Sequence, residues 1–101
     1  MTIFSKIIAG EIPSYKIAED DYFFAFLDNA PRVKGHVLVI PKVEVDKVFD
    51  LYDTYLSRML IFAKPIAKAL EKTMHCKRGV LSVVVLEVPH AHLHLLPINE
   101  M

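Results

Sequence analysis

Several features that mark particular classes of protein are scarce or missing in this sequence. It contains a single cysteine, Cys76, which excludes an internal disulfide and fits a reducing compartment. Its 12 basic and 12 acidic residues give a formal net charge of zero, so no charge excess favours nucleic acid or an anionic membrane as a partner. The start of the chain has no basic segment followed by an apolar signal stretch, and no apolar run is long enough to span a bilayer. We therefore expect a cytoplasmic protein without nucleic-acid or membrane partners.

Length and composition predict a single domain over residues 1–101, because 53% hydrophobic residues are enough at this length for one core. Internal repeats, low-complexity tracts and linkers are absent from the sequence. Helical spacing of apolar residues predicts a short amino-terminal helix that Thr2 can cap. Alternating apolar residues then predict a hairpin of two strands within residues 15–28 and a third strand over residues 36–40.

Residues 53–74 carry an apolar stripe at helical spacing, which predicts one long helix with Asp50 or Asp53 as its N-cap. Pro65 interrupts the helical hydrogen bonds, but the stripe stays in phase beyond it, so we expect a kink at this position rather than two helices. Two more strands follow, over residues 80–86 and around the last histidines. Antiparallel strands with helices segregated to one side indicate an α+β fold.

Three of the five histidines, His90, His92 and His94, alternate with apolar residues near the end of the chain. Side chains at i, i+2 and i+4 of a strand point to one face, so these histidines are predicted to form a row of imidazoles about 6–7 Å apart. The apolar residues between them would face the core. Such a concentration of one residue type indicates a functional site.

Three interpretations of this row compete on the residues alone. It could be a partly buried polar strand whose histidines are satisfied by backbone groups or water. It could be a metal site, because two histidines at i and i+2 of a strand can share one zinc ion. It could perform acid–base and nucleophilic chemistry on an anion, with one neutral imidazole attacking while its neighbours hold negative charge or pass protons.

Four segments, in order along the chain, resemble the histidine triad (HIT) superfamily of nucleotide hydrolases and transferases, in its Hint-like branch. Residues 90–96 match the family's pattern of three histidines alternating with apolar residues. Residues 3–13, 25–28 and 35–42 resemble three further blocks of that branch. The resemblance therefore covers nearly all of the chain.

The resemblance implies a five-stranded antiparallel sheet packed by one long helix, with a short amino-terminal helix, and a homodimer joined through the long helix and adjoining strands. It implies a hydrolase that cleaves purine nucleoside phosphoramidates or related nucleotidyl adducts. His92 would be the nucleophile that attacks the α-phosphorus and forms a nucleotidyl-histidine. His90 and His94 would bind phosphoryl oxygens and help to protonate the leaving group, and His36 matches a fourth site histidine. This chemistry requires no metal or other cofactor, since imidazoles supply the charge stabilisation.

The nucleotide itself would be held by residues from two of these segments. By resemblance, the base pocket is lined by Phe4, Ile7, Ile12 and Phe26, four apolar residues that ordinary core packing would also explain. Asp28 matches the residue that bonds the ribose hydroxyls, although a strand-end turn is an alternative role for it. Phe26 and Asp28 share one face of the predicted second strand, which is consistent with a common site.

Two departures from the family pattern bear on function. Relatives carry an asparagine and a glycine-containing polar loop before the triad, whereas residues 79–88 are nearly all apolar and their acidic Glu87 would repel a phosphate. This favours, as the alternative function, a nucleotide-binding or regulatory module with weak or vestigial catalysis. Some relatives bind a structural zinc through amino-terminal cysteines and a histidine after the Pro-Lys turn. Here Ser5 and residues 43–45 occupy those positions, so we expect no such zinc.

Overall fold

A computed structural model describes residues 1–84 and 88–99. It confirms the predicted α+β fold, a five-stranded antiparallel sheet with one long helix and a short amino-terminal helix. A short 3₁₀ turn, Val48–Asp50, precedes the long helix. In chain order the helices and strands are α1 (Ile3–Ile8), β1 (Lys16–Glu19), β2 (Phe23–Leu27), β3 (Val37–Pro41), α2 (Asp53–Thr73), β4 (Arg78–Ser82) and β5 (Leu93–Ile98).

The strand order is β1-β2-β3-β5-β4, and every neighbouring pair is antiparallel. β5, which contains His94 and begins directly after His92, therefore lies between β3 and β4. The register places Phe26 of β2 opposite Leu38 of β3, and Leu38 opposite His94 of β5. These three residues form a row across one face of the sheet.

The two faces of the sheet bury different clusters, as the alternation in β2 predicts. Phe23 and Ala25 face α2, where they join Met59, Ala63 and Ile66 of its apolar stripe. On the opposite face α1 covers a second cluster, formed by Phe4, Ile7, Phe24, Phe26, Leu38 and Ile40. Burying each such aromatic or aliphatic side chain contributes about 1.5–3 kcal/mol, so both helices are held mainly by apolar packing.

Both helices begin near their predicted positions, but only one cap is as expected. Thr2 caps α1, accepting a hydrogen bond at Oγ1 from the Ser5 N–H at 3.1 Å. The N-cap of α2 is Tyr52, with no side-chain hydrogen bond, so the prediction of an aspartate cap was wrong. α2 continues through Pro65 as one helix. No helix in the described part of the chain combines the length and the apolar character needed to cross a membrane.

The histidine segment departs from the predicted strand. β5 begins only at Leu93, because the preceding backbone groups bond outside the sheet: the His90 N–H donates to the Val88 carbonyl at 2.8 Å, and the Ala91 N–H donates to the Val45 carbonyl at 2.6 Å. The strand predicted over residues 80–86 is shorter and earlier, ending at Ser82. Its predicted last residues, and Glu87, lie outside the described residues.

Candidate active site

A cavity of about 360 Å³ opens on the face of the sheet that α1 covers. It lies over the row of Phe26, Leu38 and His94, and its walls come from α1, the β2–β3 loop and the histidine segment. The lining residues are Ile3, Phe4, Ile7, Phe26, Asp28, Asn29, Ala30, Arg32, Leu38, Val84, Val88, His92 and His94. One end is thus apolar and the other carries imidazoles and a carboxylate.

His92 is fixed in one tautomer by the backbone. Its Nδ1 lies 2.7 Å from the His90 carbonyl oxygen, and because a carbonyl can only accept, Nδ1 carries the proton. The lone pair of the neutral ring is therefore on Nε2, to which no group among residues 1–84 and 88–99 is hydrogen-bonded. The residue is only 6% exposed, and this burial lowers the pKa of His92 below its ordinary value. The arrangement presents a neutral nitrogen nucleophile to the cavity.

His36 and His94 form a second imidazole pair. The Arg32 backbone N–H donates to Nδ1 of His36 at 3.2 Å, so His36 carries its proton on Nε2 and donates it to Nδ1 of His94 at 2.9 Å. The remaining nitrogen of His94, Nε2, donates to the Val84 carbonyl over a long 3.5 Å. His36 is 1% exposed, and burial lowers its pKa, while the Asp28 carboxylate raises it in part. The His94 ring lies 4.9 Å from that of His92, so its N–H can serve the same reacting group.

Asp28 follows β2 at the rim of the cavity. Its Oδ1 accepts the Ala30 N–H at 3.0 Å, which is the strand-end turn considered from the sequence. Its Oδ2 lies 3.5 Å from Nδ1 of His36, and the side chain also lines the cavity. The Asp28 carboxylate therefore both forms the strand-end turn and lines the cavity wall. Its oxygens can still accept a hydrogen bond from a ligand.

His90 does not share the orientation of His92 and His94, contrary to the predicted row. It is fully buried and is not among the cavity-lining residues. Its Nε2 donates to the Pro41 carbonyl at 2.9 Å, and its Nδ1 lies 2.8 Å from Oγ1 of Thr2. Both ring nitrogens are thus occupied, so the expectation that this ring holds phosphoryl oxygens does not fit the geometry. The physical reason is that the chain bends over residues 88–90 and is not yet a strand at residues 91–92, so the two-residue alternation of a strand does not apply to these residues.

Three of the four predicted base-pocket residues line the apolar end of the cavity. The Phe4 ring is edge-on to Phe26, with centroids 5.8 Å apart, and to His92 at 5.0 Å. Ile7 stands beside them, whereas Ile12 only packs behind this cluster and is not in the lining.

Sequence reasoning missed seven other lining residues, namely Ile3, Asn29, Ala30, Arg32, Leu38, Val84 and Val88. Leu38 could have been found, since it lies two residues after His36 on the predicted third strand and shares its face. Ile3 is adjacent to Phe4 in the predicted helix. Arg32 lies in an irregular loop, where no periodicity indicates the direction of a side chain.

The possible metal ligands in this site are Asp28, His36 and His94, whose ligand atoms lie within 4.8 Å of one another. In the observed arrangement His94 Nδ1 accepts the proton of His36 Nε2, and His36 Nδ1 accepts the Arg32 N–H. A bound ion would have to displace at least one of these bonds. The histidines are therefore arranged as a hydrogen-bonded set.

Comparisons with known proteins agree on one family. The family model described as HIT domain matches residues 9–101. The adenosine 5′-monophosphoramidase HNT1 of Saccharomyces cerevisiae is 42% identical over 96 residues, covering 94% of this chain and 61% of that protein. The adenosine 5′-monophosphoramidase hnt1 of Schizosaccharomyces pombe is 38% identical over 96 residues, covering 94% of this chain and 72% of that protein. The crystal structure of a HIT family member from Bacillus subtilis superposes with a TM-score of 0.92 at 34% identity, covering 97% of this chain and 73% of that one. The chain thus spans less than two thirds of the Saccharomyces relative.

Proposed function

The chain belongs to the HIT domain family, and from this premise we propose that it hydrolyses purine nucleoside phosphoramidates or related nucleotidyl adducts. One observation carries the proposal. His92 is held with its proton on Nδ1 and its Nε2 lone pair toward a cavity that has an apolar end and a carboxylate at its rim. Two relatives that bear the name adenosine 5′-monophosphoramidase support this substrate class.

The proposed reaction has two displacements at phosphorus. Nε2 of His92 forms a bond to the α-phosphorus while the phosphorus–nitrogen bond to the leaving amine breaks, and the amine takes a proton from the neighbouring imidazoles. Water then attacks the phosphorus of the nucleotidyl-histidine, which breaks its bond to Nε2 and releases a nucleoside monophosphate. The Nδ1–H bond to the His90 carbonyl stabilises the positive charge that His92 gains in the first step.

His94 would act on the phosphoryl oxygens, and His36 would act through His94. The long bond from His94 Nε2 to Val84 is weak, so this N–H is available to a developing anion. Each preorganised donor of this kind contributes about 10²–10³ to the rate. His36 donates to His94 Nδ1, which keeps the His94 proton on the nitrogen that can reach the substrate. His90 would contribute through its carbonyl, by holding His92.

The substrate test is a panel of nucleoside phosphoramidates and dinucleoside polyphosphates. Val84 and Val88, the lining residues from the segment before the triad, offer no side-chain donor for a second phosphate, and the donors Asn29 and Arg32 of the lining lie in the β2–β3 loop. We expect adenosine phosphoramidate to be cleaved at least about tenfold faster than any dinucleoside polyphosphate, since one missing charged hydrogen bond costs about that much. Release of AMP and ammonia is measured; equal rates on both classes would contradict the assignment.

The nucleoside would lie with its base among Phe4, Ile7 and Phe26 and its ribose against Asp28. Asp28→Ala is expected to weaken binding of AMP by about tenfold or more, because a hydrogen bond to a charged group contributes about 1.5–3 kcal/mol. Dideoxy-AMP, which lacks the hydroxyls, should lose much less. Calorimetric titration measures both. Asp28→Asn is the matched control, since it preserves the Oδ1 acceptor for the Ala30 turn. Equal losses for the two ligands would remove Asp28 from the ribose role.

A nucleotide-binding module with weak catalysis is the second candidate. The observation in its favour is the apolar character of Val84 and Val88 next to His94, where a phosphoryl group would need donors. This candidate predicts tight AMP binding together with single-turnover rates no faster for phosphoramidates than for polyphosphates. The hydrolase predicts product accumulation over many turnovers.

We also propose a homodimer through α2 and β4. Exposed apolar residues meet there: Leu60 and Ile61 of α2 are 58% and 71% exposed, and Leu81 of β4 is 43% exposed. β4 is the edge strand of the described sheet, although its Gly79 N–H already donates to the Glu71 carboxylate at 2.7 Å. A second copy would cover the apolar surface that α2 and β4 form.

Light scattering at micromolar concentration is expected to give the mass of a dimer. Ile61→Lys should shift the protein to a monomer, because it places a charge in the apolar contact. Phe49→Lys is the control: Phe49 is 92% exposed on the 3₁₀ turn, away from this surface, and its substitution should leave the dimer intact. A monomeric mass for the unsubstituted protein would rule the dimer out.

A further inference from the structure

A polar cluster outside the cavity joins α1 to the histidine segment. Glu44, in the loop after β3, accepts two hydrogen bonds at Oε1: from the Thr2 N–H at 2.6 Å and from the Ser5 hydroxyl at 2.7 Å. Thr2 Oγ1 in turn lies 2.8 Å from Nδ1 of His90. We call Thr2, Ser5, Glu44 and His90 the amino-terminal clamp. None of its side chains lines the cavity.

The direction of the protons in the clamp follows from its partners. His90 Nε2 donates to the Pro41 carbonyl, so Nδ1 of the neutral ring accepts, and the Thr2 hydroxyl donates to it. The same hydroxyl oxygen accepts the Ser5 N–H, and the Ser5 hydroxyl donates to the Glu44 carboxylate. The Thr2 and Ser5 hydroxyls, both ring nitrogens of His90 and Oε1 of Glu44 thus each have a partner, which is the condition under which such a network fixes one geometry.

The clamp matters because α1 cannot hold itself in place. It has only six residues, and a helix this short is not stable in isolation. It nevertheless supplies Phe4 and Ile7 to the cavity wall, and Phe4 contacts the rings of both His90 and His92. The position of its first turn therefore sets the shape of the pocket.

The loop that carries Glu44 also holds the histidine segment directly. The Val45 carbonyl accepts the Ala91 N–H at 2.6 Å, and the Pro41 carbonyl accepts from His90 Nε2 at 2.9 Å. Residues 41–45 thus fix His90 on one side and, through Glu44, α1 on the other. His90 then passes this constraint to His92 through its carbonyl.

We propose that Glu44 is a positioning residue, which through Thr2, Ser5 and His90 sets both the nucleotide pocket and the orientation of the His92 imidazole. Its kinetic consequence rests on the proposed hydrolase function, whereas its structural consequence does not. The hydrogen bonds from Ser5 and Thr2 lower the pKa of the Glu44 carboxyl, so this group is ionised at neutral pH.

The experiment compares four variants of the full chain. Glu44→Ala removes the acceptor of both hydrogen bonds, and Glu44→Gln keeps a neutral acceptor in the same place. Thr2→Val removes the hydroxyl that bonds to His90, and Asp46→Ala removes an exposed carboxylate two residues along the same loop. Three quantities are measured: the Kd for AMP, the amide exchange rates of residues 5–8, and the imidazole ¹⁵N spectrum of His92. The spectrum reports the tautomer directly.

Glu44→Ala is expected to raise the Kd for AMP about tenfold, to speed amide exchange in α1 by a similar factor, and to populate the second tautomer of His92. Glu44→Gln should restore most of each property, and Asp46→Ala should change none. Thr2→Val removes the hydroxyl at nearly constant volume and removes no charge. It should also populate the second tautomer of His92. If Glu44→Ala matches Asp46→Ala in all three measurements, the inference is overturned.

The clamp and the hydrolase activity are tested by separate measurements. Amide exchange and the imidazole spectrum need no substrate, so they test the clamp even in a protein that does not cleave phosphoramidates. If the unsubstituted protein is inactive and Glu44→Ala still frees α1 and the His92 tautomer, the hydrolase proposal falls while the clamp stands. If the protein is active and Glu44→Ala changes neither, only the clamp falls.

Discussion

Replacement of His92 by alanine is expected to lower kcat for phosphoramidate hydrolysis by about 10⁴-fold or more, because the displacement loses its nucleophile. No other described ring can substitute for it: His36 and His94 use Nε2 and Nδ1 on each other, and both nitrogens of His90 are bonded within the protein. Nucleotide binding should change by less than about threefold, since the apolar wall and Asp28 provide the contacts. Steady-state kinetics and AMP titration measure the two quantities.

His75→Ala is the matched control for this substitution. His75 is exposed, two residues beyond the end of α2, and is not among the cavity-lining residues, so its loss should leave kcat unchanged. Rapid quenching of the unsubstituted protein followed by mass spectrometry should also detect a peptide containing residues 90–94 with one nucleotidyl group attached. Full activity in His92→Ala would end the nucleophile assignment.

The sequence predicts the fold well because its local signals agree with its long-range packing. Alternating residues of β2 separate into the two clusters that α2 and α1 cover, with Phe23 on one side and Phe26 on the other. Thr2 caps α1 because its hydroxyl can reach the Ser5 N–H within the first turn, a contact that depends on adjacent residues only. Signals of this kind need no knowledge of distant partners.

Local sequence patterns do not predict the conformation where hydrogen bonds to distant backbone groups determine it. Residues 90–95 alternate as a strand would, yet Val45 and Pro41 bond to residues 90 and 91 and delay the strand until Leu93. Neither partner can be identified from the spacing of histidines. The aspartate caps expected for α2 fail for a related reason, because helices of this length gain most of their stability from the packed stripe and can begin without a cap.

The sequence predicts which residues belong to the candidate site better than it predicts how they are arranged. Asp28 and His94 line the cavity, and His36 is bonded to His94 without lining it. The tautomer of His92 depends on where the His90 carbonyl points, and the clamp depends on a contact between Thr2 and Glu44 across 42 positions. Both features depend on tertiary contacts, which composition and periodicity do not predict.

The pH dependence follows from burial of the nucleophile. Attack needs neutral His92, whose pKa is lowered by burial and further by His94 and His90, with the His90 hydrogen bond and Asp28 opposing. The acid limb of kcat/KM should therefore lie below pH 6.5, the ordinary histidine value. Below that limb the rate should fall about tenfold for each pH unit. At high pH it should fall again, because the coupled imidazoles no longer have a proton for the leaving amine.

Protein stability limits the pH range over which this profile can be measured. The lowered pKa values of His36 and His92 determine how the free energy of unfolding changes with pH. The folded-state pKa values of His36 and His92 lie below those of the unfolded chain, so the unfolded chain binds more protons as the pH drops. The free energy of unfolding is therefore highest above about pH 6.5 and falls as the pH passes from there down through the lowered values. Circular dichroism at each pH separates loss of activity from loss of fold.

Asp28→Asn removes a charge that raises both pKa values, so it should move the acid limb to lower pH. An acid limb above pH 6.5 in the folded protein, unmoved by Asp28→Asn, would show that a group outside this cavity controls the reaction.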